Sequence, residues 1–418
     1  MPKASPLSTS ITTSVSSTRP LAPPWPKPGA KNVKIAQIDA IPVSVPYSHR
    51  EVSSRVRRDG VTAVLVKITA DNGQIGWGES CPGPNVESVF ETVQAAIPLL
   101  LGRNPWNTEA LAALFYETAH WDLRPMTGHF AYAGIDMALH DLIGRACGQP
   151  LYNLFGGLRR QQVDYFYYLS TGKPDAVGAQ AREGVARGYE VFYVKVGLDF
   201  EREEAMVAAL RQAIGPTGKI RIDANGAWTV DQAVRYLTAL DQYSIDFAEQ
   251  PVRQDPIRNM AELRQRVQVP LAANEGLWRP ADVWEVIRAR AADVLCFSPY
   301  WVGTLGQFHR LSHAAHLEGL RVCRHTHGEL GLMAAACHHL CLTLPNLVAG
   351  NQQTAAMMED DILADTLPIA QGPVWGVPPG PGLGVDVDED KVTRYHDLYR
   401  QQGQFLPYQL DTIDSEYP

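Results

Sequence analysis

The chain has 418 residues, a net charge of −8 and a hydrophobic content of 45%, which is enough apolar sequence for a large buried core and suggests two domains. The acidic balance argues against a nucleic-acid-binding surface, and the chain has no run of eighteen apolar residues, so we expect no membrane span. Six cysteines are scattered along the chain, several of them inside apolar runs. Such cysteines are typical of buried, reduced thiols, and they predict a cytoplasmic protein.

The N-terminal region divides into a tail and a first domain. Residues 1–32 are rich in Ser, Thr and Pro and contain no acid, so we predict a disordered tail. Apolar runs with a turn at Asp71–Gly73 then predict strands, and long helical patterns follow. This order predicts an α+β domain over 33–160. The polar segment 47–60, between the first two strands, is predicted to be a surface loop that could meet an anionic ligand.

A different pattern begins at about residue 161, where short apolar runs alternate with helical patterns. We count eight strand candidates, most of them separated by one helix, and this repetition predicts a parallel sheet. Eight units in roughly 200 residues fit a closed (β/α)8 barrel better than an open doubly wound sheet. No GxGxxG motif follows the first strand, which weakens the dinucleotide-binding alternative. We therefore predict a TIM-type barrel over 161–385.

Three acidic residues end successive apolar runs at a constant step of 26 residues: Asp223, Glu249 and Glu275. In a barrel, such residues lie side by side at the carboxyl ends of neighbouring strands, where barrel enzymes have their active sites. Buried carboxylates repel one another, and a divalent cation with hard oxygen ligands removes this cost, which favours Mg²⁺. Each acid could instead cap a helix or pair with an arginine, but the equal spacing favours a metal site.

An earlier strand candidate, VFYVKVG, carries a lysine near its end. Alternation along the strand places Lys195 and Tyr193 on the same side, facing the barrel interior. Burial beside a cation would favour the neutral amine, so Lys195 could act as a general base. The alternative is a lysine whose ammonium group reaches the solvent at the barrel rim, although its neighbours are apolar.

Histidines end the seventh strand candidate, on the opposite side of the predicted barrel. His325 is placed there, with His327 on the same face and Glu329 two residues further on. His325 is a candidate acid–base group, although a structural histidine is an equally good interpretation of the residue alone. A metal ion, Lys195 and His325 together suit removal of a proton next to a carboxylate, with the metal neutralising the enediolate. Asn225 could hydrogen-bond the same group.

These residues lie in stretches that resemble the enolase superfamily, specifically the mandelate racemase/muconate lactonizing enzyme family. The stretches are GWGES, GIDMALHDLIGRACGQPLYNLFGG, VKVG, IDANGAW, AEQPV, PLAANEG and LPN, in this order across about residues 33–390. The resemblance implies a capping domain over a modified barrel, a segment 386–418 that returns to the capping domain, Mg²⁺, a small carboxylate substrate and a homo-oligomer. By motif position, Asp223 and Glu249 correspond to metal ligands. The third ligand is Asn274 or Glu275, and charge and spacing favour Glu275.

Three positions depart from the family pattern. Tyr193 replaces the first lysine of a Lys-x-Lys motif, Ser298 replaces a lysine or the aspartate partner of the histidine, and Asn351 replaces a frequent glutamate. The resemblance favours a lyase that dehydrates a hydroxy acid or acid sugar, with Lys195 as base and His325 as acid. An isomerase that racemises or epimerises a carboxylate would use both as bases, and a non-catalytic carboxylate-binding relative is the third possibility. The predicted substrate-binding residues are Tyr193, Asn225, Asn274, Ser298, His327 and Glu329.

Overall fold

The computed structural model describes residues 33–52, 57–80, 85–120, 127–169 and 171–405, so the predicted tail over 1–32 lies outside the described residues. The first domain begins with an antiparallel sheet in which β2 lies between β1 and β3. The segment predicted to be a loop, 47–60, is largely strand, because the ladder resumes after a register shift and pairs Glu51 with Arg58. The strands are β1 (Ile35–Val52), β2 (Arg57–Ala70) and β3 (Ile75–Ser80).

Helices cover this sheet, and one of them lies directly on β3. A Cβ atom on Gly78 would lie 2.0 Å from the carbonyl oxygen of Gly134, so the absence of a side chain lets the helix backbone approach the strand. Residues all around this helix are buried, since the barrel packs on its other side. The helices of the first domain are α1 (Val86–Leu100), α2 (Thr108–Ala119) and α3 (Thr127–Cys147), followed by the short α4 (Leu151–Leu154).

The second domain is the predicted α/β barrel. Seven parallel strands form one sheet in the order β11-β10-β9-β8-β7-β6-β5, and the eighth candidate, 347–353, is not a regular strand. It makes single parallel bridges, from Leu347 to Val322 and from Asn351 to Tyr165, and so joins the two edges of the sheet. The barrel strands are β5 (Tyr167–Leu169), β6 (Val191–Lys195), β7 (Lys219–Asp223), β8 (Ile245–Glu249), β9 (Leu271–Ala273), β10 (Val294–Phe297) and β11 (Arg321–Arg324).

The first predicted barrel strand is split in two. Its first part, β4 (Gln162–Asp164), pairs antiparallel with β12 (Val374–Gly376) rather than with the barrel sheet. Helices follow the barrel strands, as the repeated pattern predicts. They are α5 (Pro174–Ala186), α6 (Phe200–Ile214), α7 (Val230–Leu240), α8 (Arg258–Arg266), α9 (Pro280–Arg288), α10 (Pro299–Val302), α11 (Leu305–Leu317), α12 (Gly331–Thr343) and α13 (Pro368–Gln371).

The last helix, α14 (Glu389–Gln402), packs against β1 of the first domain. His396 Nδ1 lies 2.8 Å from the carbonyl oxygen of Pro42, and Lys67 Nζ lies 2.7 Å from a carboxylate oxygen of Glu389. The chain therefore contacts the first domain again after leaving the barrel. None of the helices in the described residues has the length and apolar character needed to cross a bilayer.

Candidate active site

The carboxyl ends of three adjacent barrel strands lie level with one another. Lys195 of β6 is in register with Asp223 of β7, which is in register with Glu249 of β8. Lys195 Nζ donates to Asp223 Oδ2 at 2.7 Å and to Asn225 Oδ1 at 3.2 Å. The hydroxyl of Tyr193 donates to the same Asp223 oxygen. Parallel strands thus place a lysine, a phenol and two carboxylates at one rim of the barrel.

The sequence-based expectation of a neutral Lys195 amine concerns a site that holds a cation; the protein groups alone act on this amine in opposite directions. Burial is the largest single influence and lowers the pKa of Lys195, but the negative groups around it, Asp223 first among them, together outweigh burial and raise the pKa above its usual value. The reason is the direct contact between the amine and this carboxylate. Lys195 is therefore an ammonium ion in this arrangement.

Asn225 connects the first and third acids. Its Nδ2 donates to Asp223 Oδ2 at 3.1 Å and to Glu275 Oε1 at 2.8 Å. Asn225 has a positive φ of 49°, a conformation that asparagine tolerates better than most residues, and its backbone N–H donates to Asp223 Oδ1 at 2.8 Å. The second acid is held separately, because Gln352 Nε2 donates to Glu249 Oε2 at 2.7 Å.

The donor chemistry of the three acids fits Mg²⁺. Glu249 Oε1 and Glu275 Oε2 are buried and have no hydrogen-bond partner among the described residues. Burial and then the Asp223 charge raise the pKa of Glu249 well above its usual value and that of Glu275 to about 7. Two buried carboxylate oxygens without partners would be stabilised by a hard cation. Within the described ranges, however, no three His, Cys, Asp or Glu side chains lie in a metal-binding arrangement.

His325 follows β11 and is buried against aromatic side chains. Its Nδ1 lies 3.1 Å from the hydroxyl of Tyr300, and its ring centroid is 4.4 Å from that of Trp301. Burial, followed by the charge of His327, holds the pKa of His325 well below its usual value, so the imidazole is neutral. The hydroxyl of Ser298 donates to the backbone carbonyl of His325. Ser298 thus supports the backbone behind the histidine rather than facing a substrate.

Two other predicted substrate-binding residues are also directed away from this cluster. The carboxylate of Glu329 pairs with the buried guanidinium of Arg324. Asn274 Nδ2 donates to the backbone carbonyl of Cys296 at 2.8 Å. The structure thus brings together Lys195, Tyr193, Asp223, Asn225, Glu249 and Glu275 on one side, and His325 and His327 on the other.

Sequence reasoning missed two residues that contact the site, Gln352 and Tyr300. Gln352 ends the eighth apolar run, at the same strand-end position as the acids, and this position could have identified it. Tyr300 lies in the short helix α10 and had no distinguishing signal. Arg58 lies in the segment predicted to be a loop and donates to the backbone carbonyl of His327. The first domain therefore contacts the site through its β1–β2 hairpin.

Gly328 makes this contact possible. It has a φ of +84°, and a Cβ atom there would lie 2.6 Å from Arg58 Nη1 and 2.9 Å from the hydroxyl of Tyr47. We expect Gly328→Ala to lower the free energy of unfolding by about 2 kcal/mol or more, from backbone strain plus overlap with Arg58. Gly73 has the same φ but nothing within 4 Å, so Gly73→Ala should cost only about 1 kcal/mol. Denaturant unfolding measures both; equal losses would contradict the proposed contact.

Profiles of two domain families match the chain. The mandelate racemase/muconate lactonizing enzyme N-terminal domain matches residues 38–156, and the enolase C-terminal domain-like family matches residues 176–391. D-galactarolactone cycloisomerase from Agrobacterium fabrum is 29% identical over 357 residues, which cover 82% of this chain and 93% of that protein. N-succinyl-L-Arg/Lys racemase from Bacillus cereus is 27% identical over 380 residues, which cover 88% and 100% of the two chains.

A similar solved structure is an enolase from Thermobispora bispora, complexed with magnesium and formate. It has a TM-score of 0.81 and 25% identity, and the match covers 90% of this chain and 95% of that chain. A capped barrel with acids at its strand ends, together with these relatives, defines an enzyme of the lyase or isomerase class. The chain belongs to the mandelate racemase/muconate lactonizing enzyme family of the enolase superfamily.

Proposed function

We propose that the protein is a Mg²⁺-dependent enzyme that removes the α-proton of a small carboxylate substrate, with Lys195 as the base. The observation that supports this most directly is the Lys195 amine 2.7 Å from Asp223, near two further acids, Glu249 and Glu275, that each have a buried oxygen without a partner among the described residues. A lysine amine can accept and donate a proton, and this one is held at the barrel face where substrates bind. The homo-oligomeric state and the cytoplasmic location predicted from the sequence stay predictions.

The proposed metal ligands are Asp223, Glu249 and Glu275. When bound, Mg²⁺ would supply positive charge beside the substrate carboxylate and so favour loss of the neighbouring proton. Tyr193 and Asn225 hold the Asp223 carboxylate by hydrogen bonds and fix its orientation at the rim. A cation held by Asp223 would offset the carboxylate charge that raises the pKa of Lys195. Lys195 Nζ, as the neutral amine, could then accept the α-proton on one face of the substrate.

The net reaction depends on the residue opposite Lys195. His325 follows β11 and Lys195 ends β6, and these strands lie on opposite sides of the curled sheet. Two proton-transfer groups on opposite faces suit racemisation or epimerisation, in which a proton leaves one face and returns to the other. The names of relatives, such as the Bacillus cereus racemase, are in keeping with this reaction. We therefore propose racemisation or epimerisation as the leading net reaction.

Dehydration of a hydroxy acid or acid sugar, which the sequence favoured, is the second candidate. Its support is the placement of His325 opposite the base, where an acid could protonate a leaving hydroxyl. Against it, His325 Nδ1 meets the neutral hydroxyl of Tyr300 and, among the described residues, no carboxylate. A neutral partner stabilises an imidazolium ion less than a carboxylate does, so His325 is poorly equipped to serve as a strong general acid.

Proton exchange in deuterated water tests the proposal. The enzyme with Mg²⁺ would be incubated with dipeptides, N-acylamino acids, hydroxy acids and acid sugars, and NMR would follow deuterium at Cα. We expect incorporation with inversion of configuration and without loss of water, and none when EDTA replaces Mg²⁺. A 2-keto product, trapped with semicarbazide, would establish dehydration instead. Absence of exchange with every compound would contradict the proposed function.

A further inference from the structure

The β1–β2 hairpin carries a carboxylate to the mouth of the barrel. Glu51 and Arg58 are paired across the hairpin, and both are buried. Arg58 Nε donates to Glu51 Oε2 at 3.0 Å, and Arg58 Nη1 donates to the carbonyl of His327. Because Gly328 has no side chain, the guanidinium also packs on the backbone beyond His327. The carboxylate of Glu51 is thus held at a fixed place beside the loop that follows β11.

The ion pair with Arg58 uses only one of the two carboxylate oxygens of Glu51. Both hydrogen bonds from Arg58 end on Oε2, and Oε1 accepts no hydrogen bond from the described residues. Burial raises the pKa of Glu51, but Arg58, and then Lys195 and His327, outweigh burial and lower it. Arg58 bridges Glu51 and the backbone of His327, so the Glu51 carboxylate, as an anion, lies near one of the histidines at the candidate site.

A phenol on the first barrel strand lies in the same region. Tyr168 is in register with Tyr193, so both side chains project to the same face of the sheet, and their ring centroids are 5.9 Å apart. The Tyr168 hydroxyl is buried and has no hydrogen-bond partner in the described part of the chain. Burial and then the Glu51 charge raise its pKa, so the phenol is neutral. Tyr168 also borders a cleft of about 460 Å³, and Ser48 and His49 of the hairpin line the same cleft together with residues of α5.

We propose that Glu51 and Tyr168 form a subsite that binds a hydroxyl group of the substrate beyond its α-carbon. The inference rests on the proposed function, since the subsite is placed relative to Lys195. A hydroxyl group can donate to Glu51 Oε1 and also pair with the Tyr168 hydroxyl. An apolar group would leave the Tyr168 hydroxyl without a partner and would cover Glu51 Oε1 without giving it one, which is costly. A second carboxylate would be repelled by Glu51, and an ammonium group would meet the positive charge of Arg58.

Two sets of six-carbon 2-hydroxy acids test this preference. D-gluconate and its diastereomers carry hydroxyl groups beyond the α-carbon, whereas 2-hydroxyhexanoate carries none. We expect wild-type enzyme with Mg²⁺ to exchange the Cα proton of at least one hexonate faster than that of 2-hydroxyhexanoate. Tyr168→Phe should reduce this preference about threefold to tenfold, and Glu51→Gln about tenfold to a hundredfold, the ranges for neutral and charged hydrogen bonds.

Matched controls separate the subsite from general effects on the fold. Tyr132→Phe removes another buried hydroxyl that has no partner among the described residues, and Asp59→Asn breaks the Arg50 ion pair elsewhere on the hairpin. Both should keep the wild-type preference. If Glu51→Gln fails to fold, Tyr168→Phe still tests the inference.

The outcomes distinguish the subsite from the proposed function. The subsite would be overturned if 2-hydroxyhexanoate exchanged its Cα proton as fast as every hexonate, or if only N-acylamino acids exchanged. Proton abstraction by the enzyme would stand in both cases. A preference for hexonates that is unchanged in Tyr168→Phe and in Glu51→Gln would also overturn the subsite. If none of the carboxylates exchanges its Cα proton, the proposed function is overturned, and the subsite with it.

Discussion

Lys195→Met is expected to lower the rate of deuterium exchange at the substrate Cα by about 10²- to 10⁴-fold, the usual contribution of a positioned general base. Methionine keeps an unbranched apolar stem in the buried position but has no atom that can take a proton at neutral pH. Asp223 would lose one hydrogen bond and keep those from Tyr193 and Asn225, so the variant should fold. Exchange is followed by NMR, and folding by circular dichroism.

Lys195→Arg separates a catalytic role from a structural one. A guanidinium can keep the ion pair with Asp223 but does not lose its proton at any accessible pH, so exchange should stay as low as in Lys195→Met. Lys219 lies exposed at the opposite end of the neighbouring strand, and Lys219→Met should exchange at the wild-type rate. If Lys195→Arg exchanged the Cα proton at the wild-type rate, Lys195 would serve only as the ion-pair partner of Asp223, and its role as a base would be contradicted.

The position of Lys195 at the end of a strand could be predicted because the βα units of a barrel have similar lengths in residues. A constant step of 26 residues places Asp223, Glu249 and Glu275 after successive strands, and the register of β6, β7 and β8 sets Lys195, Asp223 and Glu249 side by side. Local periodicity determines this level of structure, since each βα unit repeats the same connection. The enolase-superfamily fold was accordingly predicted correctly, apart from the split first barrel strand and the irregular eighth strand.

Contacts between distant segments could not be predicted in this way. The polar hairpin reads as a loop, yet Glu51 and Arg58 are buried because each neutralises the other and Gly328 leaves room for the guanidinium. Ser298 is correctly placed at the end of β10, but its hydroxyl turns to the carbonyl of His325. Side-chain direction at a strand end depends on neighbours that the periodic pattern does not specify.

The identity of the third metal ligand leads to a second prediction with a large effect. We expect Glu275→Gln to weaken Mg²⁺ binding by about 10- to 100-fold or more. Loss of a group that only supports a metal ligand already has an effect of this size. The substitution removes one negative charge from the site, and ligand charge sets the affinity for hard cations. Glu275 is joined to Asp223 through Asn225, and its Oε2 has no other partner in the described residues. Calorimetric titration with Mg²⁺ measures the change without a substrate.

Asn274→Ala is the matched variant at the adjacent position. The Asn274 amide donates to the carbonyl of Cys296 at 2.8 Å, and its backbone N–H donates to Gln250 Oε1 at 2.8 Å. Because the side chain holds β9 against β10, its loss should reduce the free energy of unfolding by about 1–3 kcal/mol while the affinity for Mg²⁺ stays within about threefold of wild type. The reverse pattern, with Mg²⁺ binding lost in Asn274→Ala and kept in Glu275→Gln, would move the third ligand to Asn274. It would also leave the buried charge of Glu275 without the cation that we propose stabilises it.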